Sequence, residues 1–186
     1  MKFDRRNFFE DMGVKIAGID PAALPENPTG VCILDEKPSF FTLYGDDEIV
    51  ETVREADIIA IDAPLMPYPK VRDVDMILRK YGALPPTLGG MRKLTERAWK
   101  LRGALKRKSD ARIIEVFPTA TAKIMGFYSR NWREMEEMLG LEVKNKHELD
   151  AYICALTAMM YLKGDAIEVG REGKIVIPLY HEDKLF

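Results

Sequence analysis

Asp20, Asp62 and Glu115 each stand at or near the end of a short apolar run, and each is followed within three residues by a proline. Acids at the carboxyl ends of strands open onto the crevice where α/β sheets bind ligands, and neighbouring strands lie only about 4.8 Å apart. Like charges that close raise one another's pKa unless a cation neutralises them. Three convergent carboxylates with no obvious basic partner suit a divalent metal, and an all-oxygen donor set selects a hard one, Mg2+ or Mn2+. One such acid by itself is as readily a turn cap. Three at equivalent strand ends point to a shared task. A fourth acid comes from a helix that Asn145 caps, where His147 and Asp150, three apart, share a face of the opening turns with Ala151, Cys154 and Ala158 on or close to it. A lone histidine is ordinarily a surface residue, as His181 in the polar tail is read. His147 gains weight from Asp150.

The elements that must position these side chains follow from the apolar pattern. Residues 14–20 alternate as a strand and stop at Pro21, and the runs 31–34 and 40–43 complete a three-strand meander. Residues 46–56 read as a helix with acids in its first turn. The unbroken apolar run 58–61 suits a parallel strand covered on both faces. A helix is expected over 71–81, stopped by Gly82, and another over 91–106. Residues 111–117 form a strand containing Glu115 and ended by Pro118. Asn131 with Glu134, and Asn145 with Glu148, are capping pairs that open helices over 132–139 and up to Lys163. In the last helix Leu149, Ile153, Leu156 and Met160 form an apolar stripe separate from the His147 face. Two short strands, 167–169 and 175–177, close the chain. The order predicts an α/β fold: a mixed sheet with three antiparallel N-terminal strands plus parallel strands, flanked by helices. Residues 14–186 are expected to form one domain behind an arm of residues 1–13.

Gly18-Ile19-Asp20, Ala60-Ile61-Asp62-Ala63-Pro64, Glu115-Val116-Phe117-Pro118-Thr119 and His147-Glu148-Leu149-Asp150-Ala151 together resemble the motifs of domain-of-unknown-function family 429. Those proteins are regarded as nucleases of ribonuclease-H-like fold, and the resemblance spans residues 14–178. The last segment, followed by Ala155-Leu156-Thr157, is also similar to the closing helix of RuvC-type Holliday-junction resolvases. The resemblance implies a metal-dependent nuclease in which Asp20, Asp62 and Asp150 hold two divalent metals, Asp20 bridging them, and His147 lies near the attacking water or scissile phosphate. It leaves Glu115 as a further member of the catalytic set or a structural residue beside Pro118. Arg72, ahead of Asp75, and Arg92, in Gly90-Met91-Arg92, match the family and are implied phosphate contacts. The competing role for Arg72 is a salt bridge to Asp75. Likeness to resolvases also implies a homodimer.

Composition sets bounds on this. The chain has 186 residues, 28 Lys and Arg against 30 Asp and Glu, and a net charge of −2, which argues against a protein coated in positive charge. The balance is uneven. Residues 91–112 hold nine basic residues and two acids, which leaves −9 on the remainder. This basic helix, with Arg92, Arg97 and Lys100 and with Trp99 among them, is a candidate grip for DNA or RNA, although charge runs commonly are solvated faces. Cys32 and Cys154 are too few for a disulfide framework or a zinc site. The N-terminus has no signal-type apolar run, and the most apolar stretch, 151–162, falls short of the about 20 residues that span a bilayer. A cytoplasmic protein without membrane contact is expected. The other functions compatible with these residues are a catalytically idle binder of nucleic acid or nucleotides, and a hydrolase of a small phosphorylated molecule.

Overall fold

The computed structural model describes residues 13–179; residues 1–12 and 180–186, and with them most of the N-terminal arm and His181, lie outside the described residues. Strands β1 (Ile16–Asp20), β2 (Thr29–Leu34) and β3 (Pro38–Leu43) form the antiparallel meander. β4 (Ile58–Ile61) pairs parallel with β1, and β5 (Arg112–Val116) pairs parallel with β4. At the far side β6 (Ala166–Val169) and β7 (Ile175–Pro178) make a hairpin whose second strand joins β5. The result is one seven-stranded mixed sheet, ordered β3-β2-β1-β4-β5-β7-β6.

The helices are α1 (Asp46–Val53), α2 (Asp73–Leu78) with a 3-10 turn at Arg79–Tyr81, α3 (Gly89–Lys108), α4 (Pro118–Ile124), α5 (Trp132–Leu139) and α6 (Lys146–Lys163). Gly82 ends the 3-10 turn with φ 101°, in the left-handed region that only glycine enters without strain. The short helix α4 was not anticipated. Pro118, read as a strand terminator, is also the first residue of that helix, where its fixed φ and missing N–H do no harm.

Strand alternation sorts the core into two layers. Ile16, Cys32, Leu34, Ile58 and Ile114 face α4, α5 and α6. Ala17, Ile19, Val31, Ile59 and Ile61 face the other way, onto Ile49 and Val53 of α1 and Ala98, Leu101 and Leu105 of α3. The separate apolar stripe expected on α6 does not exist as such, because every residue from Glu148 to Met160 is buried. One side of the helix covers β1 and β2, and α4 and α5 pack on it too, so apolar and small residues are needed all round.

α6 comes close enough to touch the sheet backbone. A Cβ on Gly18 would lie 1.9 Å from the Ala151 carbonyl oxygen, and one on Gly30 would lie 2.0 Å from that of His147. Backbone on both sides cannot yield as a side-chain tip can. Gly18→Ala should therefore cost more than about 3 kcal/mol, the upper range of overpacking, or prevent folding. Gly90→Ala, in an exposed helical position with nothing within 4 Å of the added carbon, should be neutral or stabilising by up to about 1 kcal/mol. Urea unfolding midpoints of the two variants test the contrast.

α3 returns across the sheet against the direction of β4 and β5, as a right-handed crossover requires. Its first turn lies at the carboxyl ends of the strands, and after its last turn Arg112 opens β5 by donating its N–H to the Asp57 oxygen at 2.9 Å. The basic cluster Lys106, Arg107 and Lys108 is thus at the opposite sheet edge from Asp20 and Asp62.

Candidate active site

Register decides which of the acids meet. Ile19 pairs with Ile61, and Ile61 pairs with Glu115. Asp20 and Asp62 each come one residue later, and the Asp62 N–H donates to the Ile19 oxygen at 3.0 Å. A one-residue step reverses the face of a strand. Asp20 and Asp62 therefore turn toward α6, whereas Glu115 turns toward α2. The strand-end acids are not at equivalent positions, as their spacing from the prolines had suggested; they divide two and one.

Asp150 of α6 joins Asp20 and Asp62. The start of that helix is fixed by a web of polar contacts. The Asn145 side chain accepts the Glu148 N–H at 3.0 Å and donates to the Thr42 hydroxyl oxygen at 2.9 Å. Glu148 accepts from the Thr42 hydroxyl and from the Lys144 N–H, both at 2.8 Å. The expected capping pair is thus present in half: Asn145 caps, but Glu148 turns to β3 instead of the Asn145 N–H. This ties the first turn of α6 to β3, above Gly30, which is the register partner of Asp20. His147 is then placed with Nδ1 2.7 Å from Asp20 Oδ2, and Lys146 pairs with Asp150 one helical turn on.

The electrostatics follow from crowding. Burial, then Asp20 and Asp150, hold the Asp62 carboxyl well above the usual carboxylate range. Burial and then Asp20 push Asp150 up to about 6, against the lowering pull of Lys146 and His147. The buried Cys154 thiol is pushed up by desolvation and then by Asp62, Asp20 and Asp150, so the fields of all three acids meet at this point of α6. Asp20 raises the His147 pKa, chiefly through their hydrogen bond. For Lys146, burial opposes the charge, but Asp150, and behind it Asp20 and Asp62, outweigh it and raise the pKa. Among the described residues no donor is bonded to the Asp62 carboxylate. Nor do any three His, Cys, Asp or Glu side chains among them stand at metal-ligating geometry, and Asp20 and Asp150 are engaged by His147 and Lys146. Three crowded carboxylates, two with raised pKa and one without a donor, are nonetheless a donor set suited to a hard divalent cation.

The remaining candidates have other places. Arg72 is 3% exposed, and its guanidinium makes a two-pronged contact with Glu115, at 2.7 and 2.8 Å, and another with Asp75, at 2.7 and 3.1 Å. Burial opposes its charge, and the two carboxylates more than restore it, so its pKa is raised. The salt-bridge role for Arg72 is the one present, with Glu115 as a second partner. Burial keeps the Glu115 pKa raised even so, against Arg72 and the Leu65 N–H that donates at 2.9 Å. Arg97 is buried too, bonded to Asp46 and to the carbonyls of Ala22, Leu24 and Tyr44, so it clamps the loop after β1 onto the chain. Arg92 and Lys100 are exposed. Trp99 already carries the Arg102 guanidinium 4.8 Å from its ring centre. Met91 and Leu94, in the opening turns of the basic helix, line a cavity together with Asp20 and Asp62, whereas Lys100 is roughly 12 Å beyond Arg92 along the axis. Lys146 escaped notice in the sequence, though its spacing four residues before Asp150 was a legible sign.

Two solved structures are similar to this chain. The RuvC of T. thermophilus in complex with Holliday junction substrate is 12% identical, with TM-score 0.52, over 81% of this chain and 96% of that one. The fold is the ribonuclease-H-like fold of RuvC. A second Thermus thermophilus RuvC structure, 15% identical, has TM-score 0.47 with the same coverage. No family model matches the chain, and neither does any curated protein. Among the described residues no helix is long and apolar enough to cross a membrane.

Proposed function

We propose that the chain is a divalent-metal-dependent nuclease that hydrolyses phosphodiester bonds in DNA or RNA at the Asp20, Asp62 and Asp150 cluster. The observation that carries this reading is the meeting of those three carboxylates from β1, β4 and α6 at one end of a RuvC-like sheet. The motif likeness to family 429 agrees with it. Asp20, Asp62 and Asp150 would hold Mg2+ or Mn2+, which would supply Lewis acidity at the phosphate and lower the pKa of a bound water.

The chain's own residues do the rest. His147, oriented by Asp20 through Nδ1, keeps its second ring nitrogen for a water or a leaving-group proton. Lys146, more than half exposed beside Asp150, offers an ammonium to an arriving phosphate. Arg92, exposed in the first turn of α3, offers a guanidinium from the other side of the sheet edge. Glu115 and Arg72 hold α2 and the loop after β4 in place from behind.

Asp20→Asn should lower Mg2+- or Mn2+-stimulated cleavage of labelled oligonucleotides by at least about a hundredfold, the scale of losing one preorganised charge partner at the reacting group. Gel assays of wild type and variant at equal protein concentration measure it. Undiminished cleavage by the variant would remove the assignment, and metal-independent, salt-sensitive binding without turnover would favour an idle nucleic-acid binder.

A further inference from the structure

A cavity of about 190 Å³ opens beside Asp20 and Asp62 on the α3 side of the sheet edge. Its walls are largely apolar, with Leu84, Met91, Leu94, Val116 and Phe117 around it, and its polar side is the buried Asp75–Arg72–Glu115 group. Nothing in the metal chemistry uses this space. Phosphate does not suit it, because two of the three charged groups on its polar side are carboxylates.

We infer that this cavity seats one nucleobase of the substrate strand, the base next to the phosphate that lies over Asp20 and Asp62. The inference rests on the nuclease reading and adds to it a position for the base. Size argues for a base over a larger group, since cavities that enclose drug-sized ligands run to about 300–1,000 Å³. A flat, π-faced ring system with polar edges matches apolar walls that include Phe117 and a polar side made of hydrogen-bonding groups, the arrangement by which enzymes hold an unstacked base. Asp75 Oδ1 and Glu115 Oε1 each accept a single hydrogen bond, from Arg72, and keep a lone pair for another donor, so the exocyclic amino groups of adenine, cytosine or guanine are better matched than thymine or uracil. Continuity is the remaining support: Asp20 and Asp62 stand at the strand ends between the α6 face and this cavity and line it too, so a strand whose phosphate lies over their carboxylates turns its adjoining base over the strand ends to the cavity mouth. Leu84 stands there 57% exposed, an apolar side chain left at the rim of a charged site.

Cleavage of single-stranded oligonucleotides that differ at one nucleotide, with A, C, G, T or an abasic sugar there, tests the inference. With Mn2+, wild type should cut the abasic substrate at least about tenfold more slowly at one fixed position relative to the break, the scale of one lost base stack, and should disfavour T. Leu84→Trp, which fills the mouth from an exposed position, should abolish this discrimination. In the cleavage-impaired Asp20→Asn protein, 2-aminopurine at that position should brighten on binding and Leu84→Trp should prevent it. Cleavage indifferent to the base, with unchanged 2-aminopurine emission, overturns the inference and leaves the nuclease reading standing. Absence of cleavage of every oligonucleotide with either metal overturns the nuclease reading and the base position with it.

Discussion

Asp62→Asn is expected to raise the stability of the metal-free protein at pH 7 while removing its activity. Burial first, and the neighbouring Asp20 and Asp150 next, keep this carboxyl well above its ordinary range in the folded protein. An acid whose pKa rises on folding takes up protons on folding. Its contribution is therefore most favourable below its unfolded value of about 3.9 and is lost as pH climbs toward the folded value. Asparagine does not ionise, so the gain from Asp62→Asn should be near zero at about pH 3.5 and grow steadily as pH rises toward 7. For a chain of this size each kcal/mol moves the melting temperature by roughly 2–4 °C. Thermal unfolding in EDTA at several pH values measures the first part. Mn2+ should then stabilise wild type and leave the variant little changed, since binding to the folded state is what shifts the melting point. A variant that is less stable than wild type at every pH would mean that the carboxylates are not crowded as described. A gain in stability together with a loss of cleavage would mark a site kept for chemistry instead of stability.

The second large effect has the opposite sign. Among the described residues Arg72 is the only cation bonded to both Asp75 and Glu115, each 6% exposed, and Arg72→Met should destabilise the protein by about 3–5 kcal/mol. The cost comes from the two carboxylates left without a counter-charge. Glu115, already raised by burial, would rise further, so the loss should shrink as pH falls and the group protonates. Arg72→Met combined with Glu115→Gln should recover part of it, and a double-mutant cycle in urea should give a coupling on the order of 1–3 kcal/mol. Arg92→Ala is the contrast. That side chain is exposed, so stability should hold within about 0.5 kcal/mol. Affinity for DNA should fall, and the dependence of log K on log salt should become shallower by about one phosphate contact. Equal stability of Arg72→Met and wild type would free Arg72 for substrate and overturn the structural role.

Much of the scaffold was legible because the signals were local. Alternation in β1, the unbroken apolar run of β4 and the asparagine caps of α5 and α6 act within a few residues, and the elements formed where those signals lay. Pro118 misled because one residue type has two local meanings, the end of a strand and the first turn of a helix. The separate apolar stripe expected on α6 misled for a different reason. Its sequence contains hydroxyl and carboxyl groups at helical spacing, but Thr157 spends its hydroxyl on the Ile153 carbonyl and on Thr121, and Glu148 on Thr42, so a buried helix accommodates them.

What the sequence by itself determined is the inventory and the strands that carry it: an acid at the end of β1, an acid after β4, and a histidine and an acid in the opening turns of the last long helix. Those placements depend on periods of two and 3.6 residues, which are written in the chain. Only the tertiary structure decided which acids face one another. Register sets Glu115 opposite Ile61 and Ile19, one residue short of Asp62 and Asp20, and so sends it through the sheet to Arg72. It also decided which cations are free, since Arg72 and Arg97 look no different from Arg92 in the sequence but are enclosed by partners from distant segments. Pairing between strands and burial of a long side chain are properties of the assembled chain, and the residues on either side of them in sequence carry no mark of the outcome.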